Sequence, residues 1–213
     1  MKKNFAITVI LILPGLCGCQ PNISKDRDGW QMLFNGKDLT GWKASEKPGC
    51  FTVEHGTIKV HNGRSHLFYV GPVENAVFKN FHFSAKVRTT QGSNSGIYFH
   101  TEYQQTGWPG KGHECQVNLT HSDKKKSGGL YGVQDAFVQH AKDNQWYTQE
   151  IIVKDKHIVT KIDGKVIADY VEPEDVNLAN RPGRKLSSGT FAIQAHDPKS
   201  VVYYKDIKVK PLQ

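Results

Sequence analysis

Short runs of β-branched and aromatic residues, separated by Gly, Asn, Asp and Pro, recur along this chain and restrict its fold more than any other feature. Helical periodicity is almost absent. The runs predict strands at residues 51–54, 57–60, 81–89, 95–100, 114–119, 146–154, 157–162, 165–170, 190–196 and 201–210. Asp163-Gly164 between two alternating runs predicts a two-residue hairpin, and Asp155-Lys156 predicts another. Many short strands with regular turns favour a β-sandwich or a barrel.

Three of these strands carry chemically useful polar residues on one face, because alternate side chains of a strand point to opposite sides. That predicted face comprises Gly96, Tyr98, His100, Glu114, Gln116, Asn118, Ala192, Gln194 and His196. Its amides, imidazoles, carboxylate and phenol offer both donors and acceptors, as sugar hydroxyls require. We therefore predict a saccharide site, the alternative being an exposed sheet whose polar residues are there by chance. The long intervals 101–112 and 120–131 are predicted to be functional loops.

The first 28 residues have the pattern of an export signal followed by a tether. Lys2-Lys3, an apolar run at 5–13 and Leu16-Cys17-Gly18-Cys19 resemble a bacterial lipoprotein signal. The apolar run is shorter than the roughly 20 residues that span a bilayer. We expect a signal peptide at 1–18, a tether at 19–28 held to the membrane by a lipid on Cys19, and a domain at 29–213 on the cell envelope. The alternative is an ordinary secreted protein in which Cys19 is a spare thiol.

The charge of the chain gives no indication of a nucleic-acid partner. The formal net charge is +8, and removal of Lys2 and Lys3 with the signal lowers it by two. A nucleic-acid groove needs a basic stripe interleaved with stacking aromatics. The lysine run 124–126 lies beside Gly128-Gly129 instead, which favours a solvated loop.

Two cysteines, Cys50 and Cys115, remain within the predicted domain. They could pair in an oxidising compartment. Buried free thiols are the interpretation we favour.

Five sequence blocks follow one another in a specific order. They are GWQMLFNGKDLTGW at 29–42, NSGIYF at 94–99, GHECQ at 112–116, GLYG at 129–132 and GTFAIQAH at 189–196. Together they resemble the 3-keto-disaccharide hydrolase family over residues 29–212. The resemblance implies an all-β, concanavalin-like jelly-roll sandwich of two antiparallel sheets. It also implies cleavage of glycosides already oxidised to a ketone at C3, by a 1,2-lyase and hydratase pair that gives net hydrolysis through a 2-hydroxy-3-keto-glycal.

This chemistry sets the groups that a site must supply. A ketone at C3 acidifies the proton on C2, so a moderate base can remove it and a general acid can help the C1 substituent to leave. Water then adds to the glycal. The developing enediolate also needs stabilisation, and a divalent metal ion chelated by the ketone and a neighbouring hydroxyl is the one cofactor that could supply it.

The candidate site residues come from the polar face and the long loops. The predicted catalytic residues are Glu114, His196 and His100, the first two as base and acid or as metal ligands. We expect Asn94, Tyr98, Gln116, Tyr131 and Gln194 to bind hydroxyls and Trp108 to stack on a sugar ring.

Other polar residues are predicted to lie outside the site. The histidines without a partner pattern are His55, His61, His66, His82, His140 and His157. His113 should point away from Glu114. His121 and Asp123 could bind a metal, but a solvated pair in a lysine-rich loop is favoured. Asp197 is predicted first as a turn residue, although it could orient His196.

Two rival functions remain open. A non-catalytic carbohydrate-binding lipoprotein would show a flat aromatic platform and no acid–base pair. A conventional glycosidase requires two carboxylates about 5–10 Å apart. Glu114 is the one acidic residue on the predicted polar strand faces, which disfavours the glycosidase.

Overall fold

The computed structural model describes residues 26–178 and 181–213, and this part of the chain consists of strands joined by turns and loops. The strands are β1 (Gln31–Met32), β2 (Trp42–Ala44), β3 (Phe51–Glu54), β4 (Thr57–Val60), β5 (Ser65–Tyr69), β6 (Phe81–Thr89), β7 (Asn94–Thr101), β8 (His113–Asn118), β9 (Tyr147–Lys154), β10 (His157–Ile162), β11 (Lys165–Val171), β12 (Thr190–Ala195) and β13 (Val202–Pro211). Single 3-10 turns occur at Pro48–Cys50 and Val73–Ala76. The all-β prediction is confirmed, and β1, β2 and β5 are additions to it.

The strands form two antiparallel sheets that pack face to face. One has the order β11-β10-β9-β6-β13-β4-β3, with β1 pairing to β13, and the other has the order β2-β5-β12-β7-β8. Their inner faces share a single hydrophobic core to which Phe83 and Ile151 contribute from the first sheet and Ile97 and Ile193 from the second. The predicted sandwich is therefore confirmed, and we call the five-stranded member the site sheet.

Both predicted hairpins are present. β9 and β10 meet with Lys154 opposite His157, and β10 and β11 meet with Ile162 opposite Lys165. The first loop residues, Asp155 and Asp163, have left-handed φ values of 54° and 47°. Asp tolerates this conformation better than most residues.

Cys50 and Cys115 are buried free thiols, as favoured from the sequence. Burial raises the pKa of the Cys115 thiol to about 12, so it is unreactive. Within residues 26–178 and 181–213, no helix has the length and apolar character needed to cross a membrane. Cys19 and the predicted signal peptide lie outside the described residues.

Candidate functional site

The floor of the site is the outer face of the site sheet, and strand register fixes which side chains are neighbours. Tyr98 of β7 lies between Ala192 of β12 and Glu114 of β8. Two residues further along the strands lies a second row of neighbours. In this row Gly96 of β7 is opposite Gln116 of β8, and Gln194 of β12 is opposite His66 of β5. The intervening residues of these strands, such as Ile97, Cys115 and Ile193, belong to the core. The predicted faces of these strands are therefore observed, with the exception of His100.

A cavity of about 570 Å³ opens on this floor and brings together all but one of the predicted catalytic and binding side chains. Those lining it are Asn94, Tyr98, Trp108, Glu114, Gln116, Tyr131, Gln194 and His196. The floor residues come from strands. The walls come from the loops around residues 108–112, 123, 131 and 181–184.

Glu114 is the buried carboxylate of the cavity, with a residue exposure of 5%. Gln194 Nε2 donates to Glu114 Oε1 at 3.0 Å and to the Tyr98 hydroxyl at 3.1 Å. Arg184 Nη2 lies 3.9 Å from Glu114 Oε2. Burial raises the pKa of Glu114, and Arg184, Tyr98 and Gln194 oppose the rise without cancelling it. Such a carboxyl group titrates closer to neutrality than a free one and is suited to proton transfer.

The position of the Glu114 side chain depends on the glycine beside it. A Cβ atom on Gly96 would lie 2.5 Å from Glu114 Oε1 and 3.1 Å from Glu114 Cγ. Gly96 itself is in an extended strand, so the need for glycine here is spatial rather than conformational. The missing side chain lets the carboxylate lie across β7 and reach Gln194 on β12.

His196 follows β12 at the rim of the cavity and is partnered by Asp197. His196 Nδ1 donates to Asp197 Oδ2 at 3.0 Å, which leaves Nε2 available for proton transfer or metal binding. Burial would raise the pKa of Asp197, but hydrogen bonds from Ser200 and His196 outweigh it and lower the pKa to about 2. Asp197 therefore accepts hydrogen bonds both from the turn, at Lys199 N–H, and from His196, which is the second role that the sequence left open.

Three side chains near His196 could hold a metal ion. One nitrogen or oxygen atom from each of His121, His196 and Asp197 lies within 4.8 Å of the others. His121 Nδ1 accepts from the backbone N–H of Asp123, so its Nε2 faces Asp197 Oδ2, 3.9 Å away. Two imidazoles and a carboxylate are a donor set that suits zinc or a similar divalent ion. His121 therefore belongs to the rim of the site, whereas the sequence favoured a solvated loop residue.

His100 does not reach the cavity, and its prediction as a catalytic residue is corrected. Its backbone has a left-handed φ of 55°, which breaks the strand alternation that placed it beside Tyr98. His100 Nε2 donates to the Lys79 carbonyl at 2.8 Å, and Nδ1 accepts from the Ser187 N–H at 3.2 Å. The ring packs against Phe81. Burial lowers the pKa of His100 to about 4, so the ring is neutral and structural.

Two arginines, Arg181 and Arg184, line the cavity and were missed at the sequence level. Arg184 is 8% exposed and donates to the Tyr131 carbonyl at 3.1 Å. Arg181 lies over the Tyr131 ring at 5.1 Å. Their segment has the sequence RPGR at 181–184, which reads as a turn; nothing in its spacing indicates that it folds over the polar strand face.

Contacts from the chain beneath hold the arginine segment, residues 181–187, in place. The Glu172 carboxylate accepts the Leu186 N–H, at 3.0 Å and 2.9 Å from its two oxygens. His113 Nε2 donates to Glu172 Oε2 at 3.1 Å, so His113 points away from Glu114 as expected. The Gly183 carbonyl accepts the Gly112 N–H. His100 adds the bond to Ser187, which makes it a support of the arginine wall.

Comparison with known proteins identifies the relatives of this site. Residues 29–210 match the model of the 3-keto-alpha-glucoside-1,2-lyase-like domain. The chain belongs to this family. The match includes every residue that lines the cavity.

Individual relatives are distant in sequence and close in fold. The chain is 25% identical to a 3-keto-disaccharide hydrolase of Bacteroides thetaiotaomicron, over 88% of this chain and 80% of the relative. A candidate glycosyl hydrolase from Parabacteroides distasonis superposes with a TM-score of 0.75 at 22% identity, covering 87% of this chain and 95% of that one. Carbohydrate binding module CBM66 from Bacillus subtilis superposes with a TM-score of 0.52 at 10% identity, covering 80% and 95%. The concanavalin-like sandwich expected for the family is confirmed.

Proposed function

We propose that this protein cleaves 3-keto-glycosides by removing the C2 proton and eliminating the C1 substituent, after which water adds to the glycal. The observation that supports this most is the environment of Glu114: one buried carboxylate with a raised pKa on a saccharide-sized cavity. The comparisons support the substrate class, because the matched family is described as a 3-keto-alpha-glucoside-1,2-lyase-like domain and one relative is named a 3-keto-disaccharide hydrolase.

Glu114 is assigned as the base. Its carboxylate takes the C2 proton, and the electron pair of the C2–H bond moves toward the C3 ketone to form an enolate. Gln194 holds the carboxylate in position, and the raised pKa makes the protonated product of this step accessible. The Arg184 guanidinium, buried beside Glu114 with a single hydrogen bond to Tyr131 among the described residues, has donors left for the enolate oxygen.

His196 is assigned as the acid. The enolate reforms the ketone while the C1–O bond breaks, and the departing oxygen takes a proton from His196 Nε2. Asp197 stabilises the charged imidazole through the bond to Nδ1, since its own low pKa keeps it ionised. The same pair can then remove a proton from the water that adds to C1. The electron pair of the C1–C2 double bond moves toward the ketone to give an enolate, and protonated Glu114 delivers a proton to C2 as the ketone reforms.

Three amide oxygens on the floor support binding of a polyhydroxylated ligand. The side-chain carbonyls of Asn94, Gln116 and Gln194 are buried and have no donor among the described residues. Buried acceptors are nearly always paired in a folded protein, so these three are expected to accept hydrogen bonds from a ligand or from water. Sugar hydroxyls would supply those bonds, with Tyr131 and Trp108 contacting the rings.

A divalent metal ion forms part of the proposal. His121, His196 and Asp197 would hold it, and when bound it would supply Lewis-acid stabilisation of negative charge on substrate oxygens. If Nε2 of His196 bound the ion, the same atom could not donate a proton to the departing oxygen. Metal content therefore decides between two roles for this residue.

Incubation in D₂O with a 3-keto-disaccharide, and separately with its unoxidised parent, tests the proposal. We expect cleavage of the keto substrate alone, with deuterium at C2 of the product above the level of uncatalysed exchange. E114Q should abolish both. Cleavage without deuterium would indicate direct hydrolysis. Binding without consumption of either sugar would favour a carbohydrate-binding protein, the function that the name of CBM66 gives for that structural neighbour.

The metal role has its own test. Metal analysis of the purified protein, before and after treatment with a chelator, decides between the two roles: one divalent ion lost together with activity would assign His196 as a ligand and not as the acid. H121A and D197N should not retain the ion, whereas H140A, a histidine remote from the cavity, should retain it. Full activity in chelator would assign His196 to acid catalysis alone.

The cellular location of the protein is also a proposal. A signal peptide at 1–18 and a lipid on Cys19 would place the domain on the envelope, periplasmic or at the outer surface, through the tether 19–28. Labelling with a fatty acid analogue should mark the full-length chain, and C19S should remain unlabelled. Label on C19S would remove the Cys19 assignment.

A further inference from the structure

The imidazole of His66 lies next to the cavity, has no hydrogen-bond partner among the described residues and has no role in the proposed reaction. His66 of β5 is 0% exposed, and neither of its ring nitrogens has a hydrogen-bond partner among the described residues. Its ring meets Tyr98 and Trp108 edge to face, at centroid distances of 5.4 Å for each. A buried polar group without a partner is costly, so its retention requires an explanation.

His66 continues a row of unpaired polar groups across the floor. It is opposite Gln194 on β12, and Gly96 and Gln116 extend the same row across β7 and β8. The amide oxygens of Gln194 and Gln116 lack donors in the same way as the His66 nitrogens lack partners. Four strands at a spacing of about 4.8 Å make this row about 14 Å long, which exceeds the length of one sugar ring.

Trp108 covers the His66 end of the row. Its indole also contacts His196, at a centroid distance of 5.5 Å, and it remains 45% exposed. The loop that carries it has left-handed glycines at Gly107 and Gly112, and a bond of 3.4 Å from the Gly107 N–H to Glu46 ties it to the segment that follows β2. A shift of the indole would join His66 to the open cavity.

We infer that the site continues beneath Trp108 to His66, whose imidazole binds a hydroxyl group of the second sugar ring of a disaccharide substrate. The inference rests on the proposed function and assigns the aglycone side of the same site. Glu114 and His196 line the cavity in which the proposed reaction would hold the first ring, and His66 lies beyond Gln194 on the β5 side. A neutral imidazole donates from one nitrogen and accepts at the other, which matches a hydroxyl group.

Kinetics with two aglycones tests this subsite. Wild type, H66F and the control H61F are compared on a 3-keto-disaccharide and on methyl 3-keto-glucoside. Phenylalanine keeps a ring against Tyr98 and Trp108 but removes both nitrogens. We expect H66F to lower kcat/KM for the disaccharide about fivefold to tenfold, mainly through KM, because one hydrogen bond is lost. The methyl glycoside should be unaffected, and H61F should change neither substrate.

A spectroscopic measurement covers the case in which H66F fails to fold. In E114Q labelled with ¹⁵N-histidine, the 3-keto-disaccharide should shift the ring signals of His66, and methyl 3-keto-glucoside should leave them in place. Equal kinetic losses on both substrates, or identical ring shifts with both ligands, would overturn the subsite alone. If wild type neither binds nor cleaves either keto glycoside, the proposed function fails and the subsite fails with it.

Discussion

At the residue scale, the contact between Gly96 and Glu114 shows how one absent side chain can position a carboxylate. Glu114 lies across β7 because nothing projects from Gly96, and it then receives the hydrogen bond from Gln194. A methyl group at position 96 would be within 2.5 Å of the carboxylate oxygen. The backbone at this point is extended, so the fold tolerates alanine there.

We therefore predict that G96A folds and loses activity. Displacement of a reacting group by about 1 Å can cost about 100-fold in rate, so kcat/KM should fall by about that factor. Thermal unfolding should remain close to that of wild type. G49A is the matched control, since a Cβ at Gly49 meets no atom within 4 Å. A fully active G96A would show that Glu114 is not the base.

The charge on Arg184 gives a second prediction at this scale. Glu114 acts as a base only when ionised, so activity falls as the pH drops through its pKa. Burial raises that pKa and Arg184 opposes the rise. R184Q removes the opposing charge, so the acid limb of the kcat/KM profile should move to higher pH. R88Q, on the opposite sheet, should leave the limb in place. A limb unchanged in R184Q would assign it to another group.

At the scale of elements, the wall that carries Arg184 depends on a buried pair beneath it. The Glu172 carboxylate anchors Leu186, and His113 holds the carboxylate from the other side. Burial would raise the pKa of Glu172, but the bonds from His113 and Leu186 outweigh it and lower the pKa. The arginine segment, residues 181–187, is thereby fixed to the edge of the site sheet.

Loss of this anchor should loosen the wall before it affects the floor. In E172A the Leu186 N–H and the His113 ring lose their acceptor, and each buried donor left unsatisfied costs about 1–3 kcal/mol. Amide hydrogen exchange at Leu186 and Ser187 should accelerate, and kcat/KM should fall. E174A, an exposed neighbour, should match wild type. Unchanged exchange in E172A would show that other contacts fix the segment.

The elements also show what the sequence could predict. The alternation of side chains between two faces is a local property of a strand. The faces of β7, β8 and β12 could therefore be predicted from their residues, and these faces form most of the floor. β5 was not predicted because all five residues of SHLFY are buried, so its two faces do not differ in exposure. His100 was misplaced by one left-handed φ. Arg181 and Arg184 depend on the contacts of Glu172 and Gly183, which join distant parts of the chain and leave no local pattern.

At the scale of the whole molecule, buried neutral histidines couple the fold to pH. Burial lowers the pKa of both His66 and His100 from 6.5 to about 4. The unfolded chain binds a proton at each position below pH 6.5, whereas the folded protein resists protonation until about pH 4. The stability that these groups contribute is therefore present above pH 6.5 and is lost as the pH falls toward 4.

Acid should thus destabilise the protein well before most carboxylates titrate. For each of the two histidines, the lowered pKa corresponds to a loss of about 3 kcal/mol in the free energy of unfolding as the pH falls from 6.5 to 4. Urea unfolding at pH 7 and pH 4.5 measures the loss. H66F should reduce the difference between the two pH values, and the exposed control H157F should not. An equal difference in H66F and wild type would mean that His66 is not neutral in the folded state.

The separation of a strand-borne floor from loop-borne walls affects how this protein can diverge. Residues of the floor are tied to one another by sheet register, so a change in one disturbs its neighbours on the adjoining strands. Residues of the walls, such as Trp108 and Arg181, lie in loops that can vary in length and sequence without altering the sheet. Descendants of this chain could therefore reshape the walls of the cavity by loop replacement while Glu114 and Gln194 are inherited unchanged.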